Sequence, residues 1–87
     1  MKSDNLHRIL KCYNIPFEVN NNEIRIKIKF IEKGKDAFIF GSNGIVLILA
    51  KRGKDDIAVC VENVCVFELN VEATYDDDGI TLRRKMS

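Results

Sequence analysis

The sequence predicts an α+β, mainly β protein: an N-terminal helix packed on an antiparallel meander of six or seven strands, either open or closed into a small barrel. Three observations carry that expectation. Helical spacing of apolar residues occurs once, before Pro16, and does not return. From Glu23 to Lys33 apolar and charged residues alternate with a period of two. Beyond that, short apolar runs are separated by turn pairs, Asn43-Gly44, Glu62-Asn63 and Asp78-Gly79.

The helix is expected within residues 1–14. Ser3 or Asp4 can cap it, and Leu6, Ile9, Leu10 and Tyr13 form one apolar stripe, with His7, Arg8 and Lys11 opposite and exposed. Asn14 followed by Ile15-Pro16 ends it, because proline supplies no backbone donor and disfavours a helical residue before it. Residues 16–86 form the sheet, and the 87 residues make one domain. Phe17 to Val19 is a first strand and Asn20-Asn21-Asn22 a turn. In the next strand Ile24, Ile26, Ile28 and Phe30 face inward, and Arg25, Lys27 and Lys29 form a basic outer row. Gly34-Lys35 turns the chain into Asp36 to Gly41, and Asn43-Gly44 turns it again. The unbroken apolar run Ile45 to Ala50 then reads as a central strand covered on both faces.

Two-residue turns fix register, since flanking residues pair at a constant index sum. Around Asn43-Gly44, Phe40 meets Leu47, Phe38 meets Leu49 and Asp36 meets Lys51. Around Glu62-Asn63, Val61 meets Val64, Val59 meets Val66 and Cys60 meets Cys65. Around Asp78-Gly79, Tyr75 meets Leu82, Val71 meets Met86, Glu72 meets Lys85 and Thr74 meets Arg83. Joining the hairpins through four loop residues, Arg52 to Asp55, puts Cys60, Phe67, Leu69, Val71 and Tyr75 on the core side with Phe38, Phe40, Leu47 and Leu49. The reverse side then carries an apolar centre of Ile39, Val46, Ile48, Ile57, Val59, Val61, Val64 and Val66, flanked by the basic row and by Glu68, Asn70 and Glu72.

That apolar centre is the candidate interface. It is larger than a monomer exposes to water, so the expected function is a non-enzymatic interaction or accessory module that self-associates as a homodimer, sheet to sheet. The basic row of one copy would meet the acidic end of the other. The alternative is a binder of single-stranded DNA or RNA using Arg25, Lys27, Lys29, Lys51, Arg52, Lys54, Arg83 and Lys85. Against it, the phenylalanines fall on the core side and tryptophan is absent, so no base-stacking platform is evident. A third reading is a small enzyme whose carboxylates come from separate strands.

Composition favours no partner: 46% hydrophobic residues, 31% charged and a net charge of +1 give no global field for nucleic acid or membrane. No signal-peptide core opens the sequence, and the longest apolar run is far short of a bilayer span, so a cytoplasmic protein without membrane contact is expected. Cys12, Cys60 and Cys65, an odd number among apolar residues, are expected to be core thiols in a reducing compartment, with a cross-strand Cys60–Cys65 disulfide as the alternative. Catalytic, cofactor and metal sites are all expected to be absent. Asp76-Asp77-Asp78-Gly79 resembles the start of a calcium loop, but the residues after it supply no closing carboxylate. His7 has no serine, cysteine or carboxylate in register with it.

Overall fold

The computed structural model describes residues 4–85, with one helix, α1 (Asp4–Cys12), and nine strands among them. The strands are β1 (Phe17–Asn20), β2 (Glu23–Lys27), β3 (Lys29–Lys33), β4 (Ala37–Ser42), β5 (Ile45–Lys51), β6 (Ile57–Val61), β7 (Val64–Glu68), β8 (Val71–Asp76) and β9 (Gly79–Arg84). They form two antiparallel sheets, a four-stranded one in the order β1-β2-β9-β8 and a five-stranded one in the order β3-β4-β5-β6-β7. The mainly β class with one N-terminal helix is as expected; a single meander or closed barrel is not what forms.

The division falls inside the stretch that reads as one strand. At Ile28 the chain leaves one sheet for the other, and its backbone there bonds across to the β8–β9 turn. Ile28 N–H donates to the Asp78 carbonyl at 3.2 Å and Phe30 N–H to the Asp77 carbonyl at 3.1 Å. Alternation alone could not reveal this, because Ile24 and Ile26 before the crossing, Ile28 at it and Phe30 beyond it all keep to the core side.

Two registers differ from expectation. The loop between β5 and β6 has five residues, Arg52 to Asp56, so Leu49 pairs with Val59 and Lys51 with Ile57. The extra residue is used in anchoring: Arg52 N–H donates to the Asp56 carbonyl (2.8 Å), Asp56 Oδ1 accepts from Asn70 N–H (3.1 Å), and the Asp55 carbonyl accepts from Val71 N–H (2.8 Å). One residue reverses the facing of everything after it until the next reset. Ile57, Val59, Val61 and Val66 therefore lie in the core, and Cys60 and Phe67 point outward.

At the second register, the turn is Asp77-Asp78, which pairs Tyr75 with Ile80, Glu72 with Arg83 and Val71 with Arg84. Met86 lies outside the described residues. Asp78 N–H donates to Asp76 Oδ1 at 2.8 Å, closing the turn locally. Gly79 is used in the ladder instead of the turn: a Cβ there would land on the Ile26 carbonyl oxygen of β2. The shift is by two residues, so the facing survives although the partners change.

Between the sheets lie Ile24, Ile26, Phe40, Leu47, Leu49, Val59, Val61, Ile80 and Leu82, all fully buried or nearly so. The core closes differently at its two sides. At one, α1 sits by β7 and by β1, inserting Leu6, Ile9 and Leu10 and stacking His7 on Phe17 with ring centroids 5.3 Å apart. His7 is thus half-buried rather than exposed, and its Nε2 has no hydrogen-bond partner among the described residues. At the other, Tyr75 packs on Phe30, Phe38 and Phe40 at 5.2, 4.6 and 5.8 Å.

The helix ends where expected. Asn14 takes φ 57°, Ile15 N–H donates to the Leu10 carbonyl (2.9 Å) and Asn14 N–H to the Lys11 carbonyl (3.2 Å), the paired bonds of a Schellman cap. Buried Ile15 and Leu10 supply the accompanying apolar contact. The capping expected of Ser3 or the Asp4 side chain lies outside the described atoms.

Candidate interaction surface

Directly paired residues of an antiparallel ladder share a face, so register and burial together sort every outward side chain. On the four-stranded sheet the outward set is Glu18 on β1, Glu23, Arg25 and Lys27 on β2, Thr81 and Arg83 on β9, and Glu72, Thr74 and Asp76 on β8. All are polar, as a solvated antiparallel face should be.

These groups pair with one another. Arg25 donates to both oxygens of Asp76 (2.9 and 3.0 Å) and to Thr81 Oγ1 (3.0 Å); Arg83 donates to Glu23 (2.9 Å); Lys27 pairs with Glu18. At the periphery Lys85 donates to Asp55 (2.7 Å), and Lys29 lies 4.0 Å from Asp78. Hydrogen bonds from Arg25, then the N–H of Asp78, hold the Asp76 carboxyl below the usual carboxylate range. Lys27 does the same to Glu18, through its hydrogen bond and then its charge. A carboxyl held low is displaced away from the range a general acid needs near neutrality. On the basic side, the hydrogen bond and charge of Glu23 raise Arg83, and the hydrogen bond that Lys85 donates to Asp55 raises Lys85.

Of the eight basic residues singled out for nucleic acid, Arg25, Lys27, Lys29, Arg83 and Lys85 therefore each face a carboxylate. Arg52 lies over the Phe67 ring, 4.9 Å from its centroid. Lys51 and Lys54 are exposed and make no ion pair among the described residues. The structure does not assemble the eight into one patch: three lie on the outer face of the four-stranded sheet, three on the β5–β6 strand end and loop, and two at margins.

The outward face of the five-stranded sheet is the opposite. Ile39 and Gly41 on β4, Val46, Ile48 and Ala50 on β5, Ala58 and Cys60 on β6, and Cys65 and Phe67 on β7 include no polar side chain; charge enters only at the β3 edge, where Lys29 pairs with Gly41 and Glu32 with Ile39. Ile31, the extra residue of a bulge in β3, lies over Gly41 and extends this surface to the opposite edge. Ile31, Val46 and Phe67 are 53%, 46% and 55% exposed.

Of the expected interface, Ile39, Val46 and Ile48 are on this face. Ile57, Val59, Val61 and Val66 are in the core, which corrects their assignment to it; Val64 is exposed at the side of β7 that looks toward α1. Ile31, Cys60, Cys65 and Phe67 belong to the surface and were missed. A five-residue loop was the missing information for the last three, and the bulge for the first.

The cysteines also depart from expectation. Cys60 and Cys65 form a disulfide on the outward face, and Cys12 is a free, exposed thiol. The argument for a reducing compartment from three core thiols loses its basis. Cys12 lines a groove of about 500 Å³ between α1 and β7, with Arg8, Tyr13, Val64 and Phe67 among its other walls.

Among the described residues no cluster of His, Cys, Asp and Glu is suited to hold a metal ion, and no helix is long and apolar enough to cross a membrane. Compared with known proteins, the chain matches no family model, no curated protein and no solved structure.

Proposed function

We propose that the protein is a small interaction module that self-associates through the outward face of its five-stranded sheet. The observation that supports this is the contrast between its two outer faces. One sheet alternates apolar-in and polar-out along every strand, while the three middle strands of the other carry polar side chains only at strand ends, Ser42 on β4 and Lys51 on β5. Water selects the first pattern and contact with another apolar surface the second.

Sedimentation velocity tests the reading. The wild type is expected to sediment above monomer mass at high micromolar concentration, and Val46→Lys, which places a charge on that face at an already exposed position, is expected to sediment at lower mass than the wild type with unchanged circular dichroism. A wild type that is monomeric at that concentration overturns the proposal.

The nucleic-acid alternative has less support, because five of its eight basic groups face carboxylates within the chain. A salt-dependent anisotropy shift with single-stranded DNA or RNA would favour it over self-association.

A further inference from the structure

From the register and charges around β7 we infer that its free edge pairs antiparallel with β7 of a second copy, about a two-fold axis at Val66. This rests on the self-association reading and names the contact by which it begins.

The backbone points to the edge. Cys60 and Cys65 are paired with their Cα atoms 4.0 Å apart, the close spacing of a non-hydrogen-bonded site. Ladder alternation then directs the N–H and C=O of Val64, Val66 and Glu68 toward β6, and those of Cys65 and Phe67 away from it. No backbone group among the described residues bonds to these outward atoms; α1 flanks the edge without pairing with it, and a second strand would lie in the groove of about 500 Å³ between α1 and β7. The other edges are defended: β3 by Lys29, Lys33 and a bulge, β1 and β8 by charged residues. The run Val64 to Phe67 has neither charge nor proline.

Self-pairing about Val66 is stereochemically consistent. It sets Cys65 opposite Phe67 of the second copy and the reverse, so both outward donors and both outward acceptors are satisfied in each strand, with Val66 facing its own equivalent at the non-hydrogen-bonded site.

Charge agrees with the antiparallel sense. The Glu62-Asn63 turn stands at one end of β7, and the loop with Lys51, Arg52 and Lys54 stands at the other, beside the Ile57–Glu68 pair. Glu62, Arg52 and Lys54 are exposed and make no ion pair among the described residues. Antiparallel pairing brings the Glu62 turn of each copy to within roughly 10 Å of the basic loop of the other, twice per dimer.

Area gives a third reason. Four strands about 4.8 Å apart and about five residues long present roughly 300 Å² in projection, which is all that one copy alone offers. Edge pairing joins two such faces into one continuous apolar surface, doubling what is available for packing.

Amide exchange by NMR, with sedimentation on the same samples, tests this. In the associated wild type the Cys65 and Phe67 amides are expected to be protected at least tenfold more than at dilutions where the protein is monomeric. Phe67→Pro removes an outward donor together with the ring but none of the β6–β7 hydrogen bonds, so it is expected to abolish association while the Val64 and Val66 amides stay protected and report an intact hairpin; Phe67→Ala separates loss of the ring from loss of the donor. Phe67→Ala, which keeps the donor, is expected to retain the Cys65 protection. If the wild type associates but these two amides exchange equally fast at all concentrations, edge pairing is overturned and face packing stands. If the wild type is a monomer throughout, both are overturned.

Discussion

Reduction of the Cys60–Cys65 disulfide is the perturbation whose size can be worked most directly. The bond links positions five apart in sequence, across a two-residue turn. Removing the link returns loop-closure entropy to the unfolded chain, and for a closed loop of about six residues the chain-entropy relation gives about 2 kcal/mol at 25 °C. The loop is short, so the effect is at the low end of what disulfides do. It is nevertheless large beside the total stability of a domain this size. With a urea m-value of about 1–2 kcal/mol per molar, the unfolding midpoint should fall by roughly 1–2 M on adding reductant. Paired urea titrations with and without reductant, on the Cys12→Ser variant to avoid intermolecular exchange, measure it. The double variant Cys60→Ser/Cys65→Ser should sit at the reduced midpoint and ignore reductant. Coincident oxidised and reduced curves, together with two reactive thiols in the denatured, unreduced variant, would refute the reasoning.

Two further outcomes follow from register and charge. Val59→Ala is expected to cost about 2 kcal/mol by opening the core, whereas Phe67→Ala, at dilutions where the protein is monomeric, should cost under about 1 kcal/mol in place of the 3–5 typical of a core phenylalanine; chemical denaturation gives the ranking, and the reverse order would restore the four-residue loop. Asp76 is held below its ordinary carboxylate range in the folded state, so its contribution is present above the unfolded value near pH 4 and is lost as pH falls through the lower folded value. Asp76→Asn should therefore be less stable than wild type at neutral pH and converge with it below about pH 4, by urea midpoints from pH 7 to 2; a pH-independent gap would contradict the ion pair.

What was legible in the sequence was what local rules determine. The helix stripe and its stop at Asn14, the Asn43-Gly44 and Glu62-Asn63 turns, and the pairings around both are as read, because each depends on a few adjacent residues. The length of the β5–β6 loop was not legible, since Asp55 and Asp56 are held by Asn70, Val71 and Lys85, residues fourteen to thirty positions away. The same holds for Gly79, whose role is set by the approach of Ile26. The existence of an apolar outer face was readable from composition of the strands. Its membership was not, since a single loop residue decides whether Val59 or Cys60 is outside.

The crossing at Ile28 has a kinetic consequence. Strands β3 to β7 pair only with sequence neighbours, so that sheet can assemble by successive hairpins, each closing a short loop. The β2–β9 ladder joins Ile24 to Leu82, across nearly the whole described chain, and must wait until β9 exists. During synthesis on a ribosome, Ile24 and Ile26 would stay uncovered by their final partners until Leu82 has emerged.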